Sequence, residues 1–320
     1  MFLLITSFII CFLTTKIILP LLRKRLLDKP GIRSSHKKPT PTGGGISFLI
    51  TTICICIISS IKGTFDYTYF YFLMAIPLAL IGFIDDFIKL DTKTRYFFQL
   101  LTVLSLYFLS YVTNYDLHEI IQFQILFKFI CIFLISFFLT AIINFINFMD
   151  GTDGIVTSSM IIVFLAISII IDPNYLFVVG ILLSFLIFNW APAKLFMGDV
   201  GSTFIAAIYI GALLRSENIV EFISLTLIAT PLLGDAFFCV LKRWKQGEII
   251  SKPHKKHLYQ RLNQSGWSHG KVAKFYACNT IFLFLILFIG NIYHLIFFSI
   301  STIFLGFIVD KKLVNISPND

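Results

Sequence analysis

Charged side chains are scarce in this sequence. Asp, Glu, Lys and Arg make up 13% of its 320 residues and hydrophobic residues 57%, and the mean hydropathy is +0.88. A soluble domain usually has about a quarter of its residues charged, so this shortage excludes a water-soluble globule of this size. Hydrophobic runs of about 20 residues follow one another, as membrane-spanning helices require. The composition therefore indicates an integral membrane protein.

The sequence also lacks several common signatures. Its six cysteines show no C-x-x-C spacing for a zinc or redox site, and we interpret them as small hydrophobic residues within apolar runs. Neither an internal repeat nor the alternating pattern of membrane strands is apparent. The first apolar run has no basic segment before it and no small-residue cleavage site. It is therefore predicted to remain as a first spanning helix.

The predicted fold class is an all-α polytopic bundle of about eleven transmembrane helices, forming one domain over residues 1–320. Apolar runs bounded by polar residues, Gly or Pro mark the helices. They are predicted near 2–22, 44–62, 67–88, 96–114, 120–145, 154–171, 175–191, 200–215, 219–240, 271–290 and 292–309.

Positive charges are confined to a few loops. With this helix count, 22 of the 26 Lys and Arg residues fall on one side of the membrane. Cytoplasmic loops carry such an excess, which predicts an external N-terminus and a cytoplasmic C-terminus. The cytoplasmic loops are then near 23–43, 89–95, 146–153, 191–199 and 241–270. The net charge of +9 accordingly indicates orientation, and no nucleic-acid partner is expected.

The first polar cluster is the basic loop RSSHKKPTPTGGG, residues 33–45. Taken alone, such a stretch is typical of an orientation signal. The functional alternative is a phosphate- or nucleotide-facing loop, in which Lys37 and Thr42 donate hydrogen bonds and the glycines permit close backbone approach.

The second cluster is a pair of adjacent acids, Asp85 and Asp86, at the end of the third predicted helix. Two carboxylates near a membrane need a compensating cation. Lys89 could supply it through a helical ion pair. A divalent ion is the alternative, because Mg²⁺ binds one or two carboxylates and completes its shell with water and phosphate.

The third cluster is a polar stripe at the end of the fifth predicted helix. It consists of Asn144, Asn147, Asp150 and Asp153, three residues apart. This spacing places the four side chains on one side of a helix, more closely aligned if the turn tightens. Interhelical hydrogen bonding or capping is the structural alternative to a functional site.

Two further clusters lie in later cytoplasmic loops. Asn189, Lys194 and Asp199 fall between the seventh and eighth helices, where Asp199 is either a metal ligand or, with Ser202, a helix cap. The loop KPHKKHLYQRL is suited to bind a diphosphate or, as the alternative, anionic lipid. Its candidate residues are His254, Lys256, His257 and Arg261.

Together these motifs are more specific than any one of them. In order they are PTPTGGG, DD-x-x-K, N-x-x-N-x-x-D-G-x-D-G, N-x4-K-x-F-M-G-D-x-G-S and H-x-x-H. The set resembles the polyprenyl-phosphate N-acetylhexosamine-1-phosphate transferase family, over residues 24–270. This family includes phospho-N-acetylmuramoyl-pentapeptide translocase and the undecaprenyl-phosphate N-acetylglucosaminyl-1-phosphate transferases.

The resemblance implies a phosphoglycosyl transferase in the bacterial cytoplasmic membrane. Such an enzyme moves a sugar 1-phosphate from a UDP-N-acetylhexosamine to undecaprenyl phosphate and releases UMP, with Mg²⁺ as cofactor and Mn²⁺ as the alternative ion. Phosphoryl transfer needs positioning and charge neutralisation, which fits acids and cations gathered on one side. The expected partners are the two substrates and the bilayer, and a homodimer is left open.

The resemblance also implies roles for individual residues. Asp199, Asn147 and Asp86 resemble metal-site residues, and Asp85 resembles a group that deprotonates or positions the lipid phosphate. Asp150 and Asp153 resemble catalytic residues of the nucleotide and metal site, and His254 and His257 resemble contacts to the diphosphate or leaving group. The residues expected to bind substrate are Lys37, Thr42, Lys89, Asn144, Asn189, Lys194, Lys256 and Arg261.

The sequence departs from the family in the loop KPHKKHLYQRL, residues 252–262, which we call the histidine loop. This departure determines the expected donor. The muramoyl-pentapeptide enzymes resemble one another in a three-histidine run, whereas this loop reads HKKH, with Lys256 replacing a histidine. The following LYQRL resembles the branch that starts O-antigen or related surface polysaccharides. We therefore expect an N-acetylhexosamine donor, with the muramoyl-pentapeptide reaction of peptidoglycan synthesis as the alternative.

A membrane transporter or lipid flippase is the rival from another functional class. Transporters place ionisable groups near the bilayer midplane, often within matched repeats. Here the acidic motifs fall on one predicted side and no repeat is apparent, which favours the enzyme.

Overall fold

A computed structural model describes residues 1–30, 38–113, 125–249 and 254–313 of the chain. Two short strands, β1 (Leu27–Asp28) and β2 (Thr40–Pro41), form an antiparallel ladder in which Leu27 pairs with Pro41. The described helices are α1 (Phe2–Arg25), α2 (Ile46–Ile61), α3 (Tyr67–Met74), α4 (Ile76–Ile88), α5 (Thr92–Thr113), α6 (Ile125–Met149), α7 (Ile155–Ile170), α8 (Leu176–Asn189), α9 (Gly198–Leu213), α10 (Ile219–Ile228), α11 (Thr230–Lys245), α12 (Leu258–Gln264), α13 (His269–Ile289) and α14 (Ile292–Leu313).

The prediction of an all-α membrane protein is confirmed. Each of the eleven predicted segments contains a helix, although residues 120–124 of the fifth segment lie outside the described residues. Among the described residues, six helical segments could cross a membrane by length and hydropathy, or seven if α10 and α11 form one bent span. The count of eleven spans and the orientation of the termini therefore stay predictions.

Helix α9 shows why an apolar run in the sequence need not be a membrane-spanning helix. It has 16 residues, fewer than the roughly 20 that a membrane crossing needs, and every residue from 200 to 213 is buried. A helix that is apolar on all sides is buried in its surroundings. In this fold α9 packs mainly against α4 and α6, so neighbouring helices supply those surroundings.

The glycine-rich segment after β2 packs closely against the chain that leads into α9. Gly44 N–H donates to the carbonyl of Phe196 at 2.9 Å, and Gly45 N–H donates to that of Met197 at 2.9 Å. A Cβ atom on Gly45 would lie 2.2 Å from the Cα of Gly201. These glycines allow close backbone approach to the protein's own chain, and the approach to a phosphate or nucleotide stays a prediction.

Replacing Gly45 with Ala is expected to destabilise the protein by about 2 to 4 kcal/mol, because the added methyl would overlap backbone atoms that cannot rotate away. Thermal unfolding of the purified protein in detergent measures this loss. Gly270→Ala is the matched control, since its Cβ would meet only Ala191 Cβ at 3.6 Å. Equal unfolding temperatures for the two variants would contradict the packing described here.

A sharp bend separates α10 from α11. The two helices meet at an angle of 80°, and Pro231 lies in the first turn of α11, where a proline costs no helical hydrogen bond. Helix α11 ends near the short helix α12, which the sequence did not predict. The bend thus directs the polar end of α11 towards the histidine loop.

Candidate active site

The acidic pair at the end of α4 lies against the beginning of α9. Asp86 is buried, and its two oxygens accept hydrogen bonds from the backbone N–H groups of Asp199 at 3.0 Å and Val200 at 3.3 Å. The first N–H groups of a helix have no partner within it and attract a carboxylate. Asp86 therefore caps α9 from another helix, and the prediction that Asp199 or Ser202 is the cap is wrong.

Asp85 is paired with an arginine that the sequence motifs did not identify. Its Oδ1 accepts the N–H of Leu90, and its Oδ2 lies 3.3 Å from Nη1 of Arg95. The same Nη1 lies 4.0 Å from Oδ2 of Asp199. Arg95 is ten residues beyond Asp85 and on a different helix, so no helical spacing could have revealed the pair.

Lys89 has a different position from the one that the helical ion pair requires. It ends α4 in the left-handed conformation, with φ 51°, and its side chain is exposed. Within the described part of the chain, no carboxylate lies within 4.0 Å of its ammonium. The alternative of a helical ion pair is therefore wrong, and substrate binding by Lys89 stays a prediction.

The polar stripe at the end of α6 faces the same region. Oδ1 of Asn147 accepts a hydrogen bond of 2.6 Å from the hydroxyl of Ser202, three residues after Asp199. Burial, followed by the negative charges of Asp199 and Asp86, raises the pKa of Asp150 well above its ordinary value. Acidic groups at the end of α4, after α6 and at the start of α9 thus interact electrostatically, and Asp150 holds its proton more tightly than an ordinary carboxyl group.

These donors fit a hard divalent cation. Asp86, Asn147 and Asp199 offer only oxygen atoms, which are the ligands of Mg²⁺. Among the described residues, no three acidic, histidine or cysteine ligand atoms here lie within 4.8 Å of one another. An ion at this position would therefore depend on water and substrate phosphate for much of its shell, as Mg²⁺ commonly does.

Two predicted substrate-binding amides have structural partners. Asn144 exchanges hydrogen bonds with Gln99 of α5, at 2.7 and 3.3 Å. Asn189 is buried, accepts from the hydroxyl of Thr157 at 2.7 Å and donates to the carbonyl of Leu195 at 3.1 Å. These contacts hold helices and loops together, and a role of either amide in substrate binding stays a prediction.

Asp153 joins two parts of the chain that are distant in sequence. One oxygen accepts the backbone N–H of Ala193 at 3.0 Å, and the other lies 3.0 Å from Nδ1 of His269. The sequence had suggested no role for His269. Lys194 follows Ala193, and its side chain is exposed. The hydrogen bond between Ala193 and Asp153 therefore holds Lys194 at the edge of the acidic region.

Lys37 and Thr42 are the two hydrogen-bond donors predicted in the first loop. Lys37 lies outside the described residues. Thr42 is half-buried, and its backbone N–H donates to the carbonyl of Leu26 at 3.1 Å. Phosphate binding by either residue stays a prediction.

The histidine loop is anchored by Asp235, a buried carboxylate that the motifs missed. Its oxygens accept the backbone N–H groups of Leu258 at 2.8 Å and Tyr259 at 3.2 Å and the hydroxyl of Tyr276 at 2.7 Å. Nδ1 of His257 lies 3.6 Å away. A lone carboxylate within an apolar run is costly, and this was the signal available in the sequence.

A second contact joins the histidine loop to the polar stripe. The hydroxyl of Tyr259 donates to the carbonyl of Phe148 at 3.0 Å, and the amide of Asn263 donates to the hydroxyl of Thr152 at 2.6 Å. The loop therefore lies beside the residues that follow α6, as a common site requires.

Two basic residues of this loop are paired with acids. Lys256 and Glu248 form an ion pair, and Nη1 of Arg261 lies 3.0 Å from Oδ2 of Asp310. His254 is partly exposed. Burial, followed by the positive charge of His257, lowers the pKa of His254 to about 4. At neutral pH the histidine that carries the loop's positive charge is therefore His257.

The charge of His257 is expected to make stability depend on pH. Burial opposes the charge, but the Asp235 carboxylate outweighs it and raises the pKa of His257 from 6.5 to about 9. The stabilisation, on the order of 3 kcal/mol, is fully present below pH 6.5 and is lost as the pH rises through about 9. Unfolding temperatures between pH 6.5 and 9.5, measured in EDTA, test this. His257→Gln should remove most of the dependence, and an unchanged pH profile in that variant would contradict the assignment.

Comparisons with known proteins identify the family. The model of glycosyl transferase family 4 matches residues 67–217. The phospho-N-acetylmuramoyl-pentapeptide-transferase of Streptococcus agalactiae serotype Ia is 30% identical over 76% of this chain and 83% of its own. That of Staphylococcus carnosus is 32% identical over 82% and 92%. A probable undecaprenyl-phosphate N-acetylglucosaminyl 1-phosphate transferase of Bacillus subtilis is 26% identical over 83% and 78%.

These matches include the acidic region described above. The segment 67–217 contains the end of α4, the polar stripe and the beginning of α9. Members of the family are transferases that act on a prenyl phosphate. Several apolar helices and the similarity to these relatives indicate a multi-pass membrane protein. The family predicted from the motifs is confirmed, and the chain belongs to glycosyl transferase family 4.

Proposed function

We propose that this protein transfers an N-acetylhexosamine 1-phosphate from a UDP-sugar to undecaprenyl phosphate at the cytoplasmic face of a bacterial membrane. The observation that carries the proposal is the meeting of Asp85, Asp86 and Asp199 beside Arg95, where α4 ends and α9 begins. Such a site suits a reaction between two phosphate-bearing substrates that carry like charge, because it can hold both a cation and an arginine.

In the proposed reaction, a phosphate oxygen of the lipid forms a bond to the β-phosphorus of the UDP-sugar. The bond from that phosphorus to the bridging oxygen breaks, and UMP leaves with this oxygen. Asp86, Asn147 and Asp199 would hold Mg²⁺, which neutralises phosphate charge when bound. Asp85 would keep Arg95 oriented towards the reacting phosphates through their 3.3 Å ion pair.

The histidine loop supports the choice of donor. Lys256, which replaces a family histidine, is half-exposed and its charge is shared with Glu248. His257 is held as a cation beside Tyr259, and this loop lies against the end of α6. We propose that it contacts the diphosphate of an N-acetylhexosamine donor, and that the lipid product starts a surface polysaccharide such as O-antigen.

A second donor is favoured by the relatives. The two relatives above that are 30% or more identical are named phospho-N-acetylmuramoyl-pentapeptide-transferases. The alternative proposal is therefore the same reaction with the UDP-muramoyl-pentapeptide donor of peptidoglycan synthesis.

A donor screen is expected to distinguish these proposals. Purified protein is incubated with undecaprenyl phosphate, Mg²⁺ and one of UDP-N-acetylglucosamine, UDP-N-acetylfucosamine, UDP-N-acetylquinovosamine or UDP-muramoyl-pentapeptide. UMP and the lipid diphosphate are then quantified. We expect product from an N-acetylhexosamine donor, loss of activity in EDTA and recovery with Mg²⁺ or Mn²⁺. Product from the pentapeptide donor alone would refute the first proposal, and no UMP from any donor would contradict the reaction.

A further inference from the structure

Three potential ligands of a soft metal ion lie together at the end of α11. Cys239, His254 and His257 each offer a sulfur or nitrogen atom, and these atoms lie within 4.8 Å of one another. Cys239 and His257 are buried, and His254 is partly exposed. No spacing in the sequence predicts this group, because the cysteine precedes the nearer histidine by 15 residues and lies inside an apolar helix.

Each of the two rings has one nitrogen that a metal ion could use. Nδ1 of His257 lies 3.6 Å from Oδ1 of Asp235, and Nδ1 of His254 accepts the backbone N–H of Lys256 at 3.2 Å. A ligating histidine commonly donates its other ring N–H to a carboxylate or a backbone carbonyl, as Nδ1 of His257 can to Asp235. The available lone pairs are therefore on Nε2 of His257 and on Nδ1 of His254, where a metal ion would replace the N–H of Lys256.

We propose that Cys239, His254 and His257 form a binding site for Zn²⁺, separate from the oxygen-lined Mg²⁺ site. A thiolate and two imidazoles favour a soft or borderline ion over Mg²⁺. In a tetrahedral zinc site, bonds of about 2.0 to 2.3 Å separate the ligand atoms by about 3.3 to 3.6 Å. The three residues therefore need only a small contraction, and water or phosphate would occupy the fourth position.

Charge and access are both consistent with a divalent cation. Binding releases the thiol proton of Cys239 and the Nε2 proton of the His257 imidazolium to solvent, and the resulting thiolate together with Asp235 balances the two positive charges of the ion. Glu248 already pairs with the nearest cations, Arg243 and Lys256. A cavity of about 340 Å³, whose lining includes Cys239, Asp235 and Lys256, adjoins the cysteine.

The site has a regulatory consequence that rests on the proposed function. If His254 and His257 contact the donor diphosphate, bound Zn²⁺ withdraws both rings from that task. Zn²⁺ should then inhibit transfer even in excess Mg²⁺, and an inhibitor of this kind would act without occupying the acidic site.

Binding is tested with Co²⁺ as a spectroscopic substitute for Zn²⁺, on the full chain in detergent without a histidine tag. We expect the near-ultraviolet absorption of a thiolate–cobalt bond, and its loss when Zn²⁺ is added. Cys239→Ser should abolish the absorption, whereas Cys278→Ser, which changes an exposed cysteine of α13, should keep it. His254→Ala should weaken binding by about 10-fold or more. Absorption that is absent in the unaltered protein, or that survives in Cys239→Ser, would overturn the site.

Inhibition is measured separately, as UMP release at increasing Zn²⁺ with Mg²⁺ held in excess. The unaltered protein and Cys278→Ser should be inhibited, and Cys239→Ser should resist by at least about 10-fold in Zn²⁺ concentration. Zinc binding without inhibition would overturn the regulatory consequence. Absence of UMP release at every Zn²⁺ concentration would instead count against the proposed function, since the spectroscopic readout is independent of activity.

Discussion

Replacing Asp199 with Asn is expected to lower the kcat of sugar 1-phosphate transfer by about 10³-fold. The backbone of Asp199 is fixed by Asp86, but its carboxylate is 26% exposed and its nearest cation is Arg95 at 4.0 Å. Part of this carboxylate is therefore accessible to a divalent ion, which would replace its hydrogen bond with Asp85. An amide of the same size keeps the packing but removes the charge, so the unfolding temperature should change little.

The matched control for this variant is Asp91→Asn. Asp91 is exposed in the turn between α4 and α5 and accepts a hydrogen bond from Thr94. It is therefore an acidic residue near the site in sequence that does not belong to the site. UMP release at saturating substrates, measured over a range of Mg²⁺ concentrations, gives both kcat and the apparent affinity for Mg²⁺. Activity of Asp199→Asn within tenfold of the unaltered protein would show that Asp199 holds no catalytic metal.

Replacing Asp235 with Asn is expected to lower stability by about 3 kcal/mol and to raise the KM for the UDP-sugar at least tenfold. Asp235 accepts three hydrogen bonds and lies beside His257. An amide can accept with only one of its two terminal atoms, so at least one buried N–H would lose its partner. The loop that carries His254 and His257 would then be poorly held.

A general loss of stability could also reduce activity, so this variant is compared with Asp172→Asn. Asp172 lies 3.1 Å from Nη1 of Arg215 and accepts a hydrogen bond from Thr68, in a separate polar cluster. Both variants should lower the unfolding temperature, but only Asp235→Asn should raise the KM. The same KM in both variants would contradict the anchoring role of Asp235.

The sequence identified the parts of the site that lie close together along the chain. Asp85 and Asp86, the stripe from Asn144 to Asp153, and Asp199 are each recognisable from local spacing, and the structure brings most of them to one region. Contacts between helices left no comparable pattern. Arg95, Asp235 and His269 were missed because their partners lie 10 to more than 100 residues away, and only packing determines which of many cations or acids meet.

The sequence pattern also did not show which groups contact the residues that it identified. The glycine segment was expected to approach a phosphate or nucleotide, and its described contact is with the chain around Asp199. Asn144 and Asn189 were expected to bind substrate, and the structure pairs them with Gln99 and Thr157. A buried amide looks the same in sequence whether it faces a ligand or another helix.

Contacts from two other segments hold the start of α9 in place. The site therefore has a fixed part at α9 and a more variable part at the histidine loop. Gly44 and Gly45 bind the carbonyls immediately before it, and Asp86 binds its first N–H groups. Donors oriented in advance need no rearrangement during reaction. The histidine loop is attached chiefly through Asp235 and Tyr259. Under the proposed function, related enzymes could therefore change their sugar donor by altering this loop while the phosphate chemistry stayed the same.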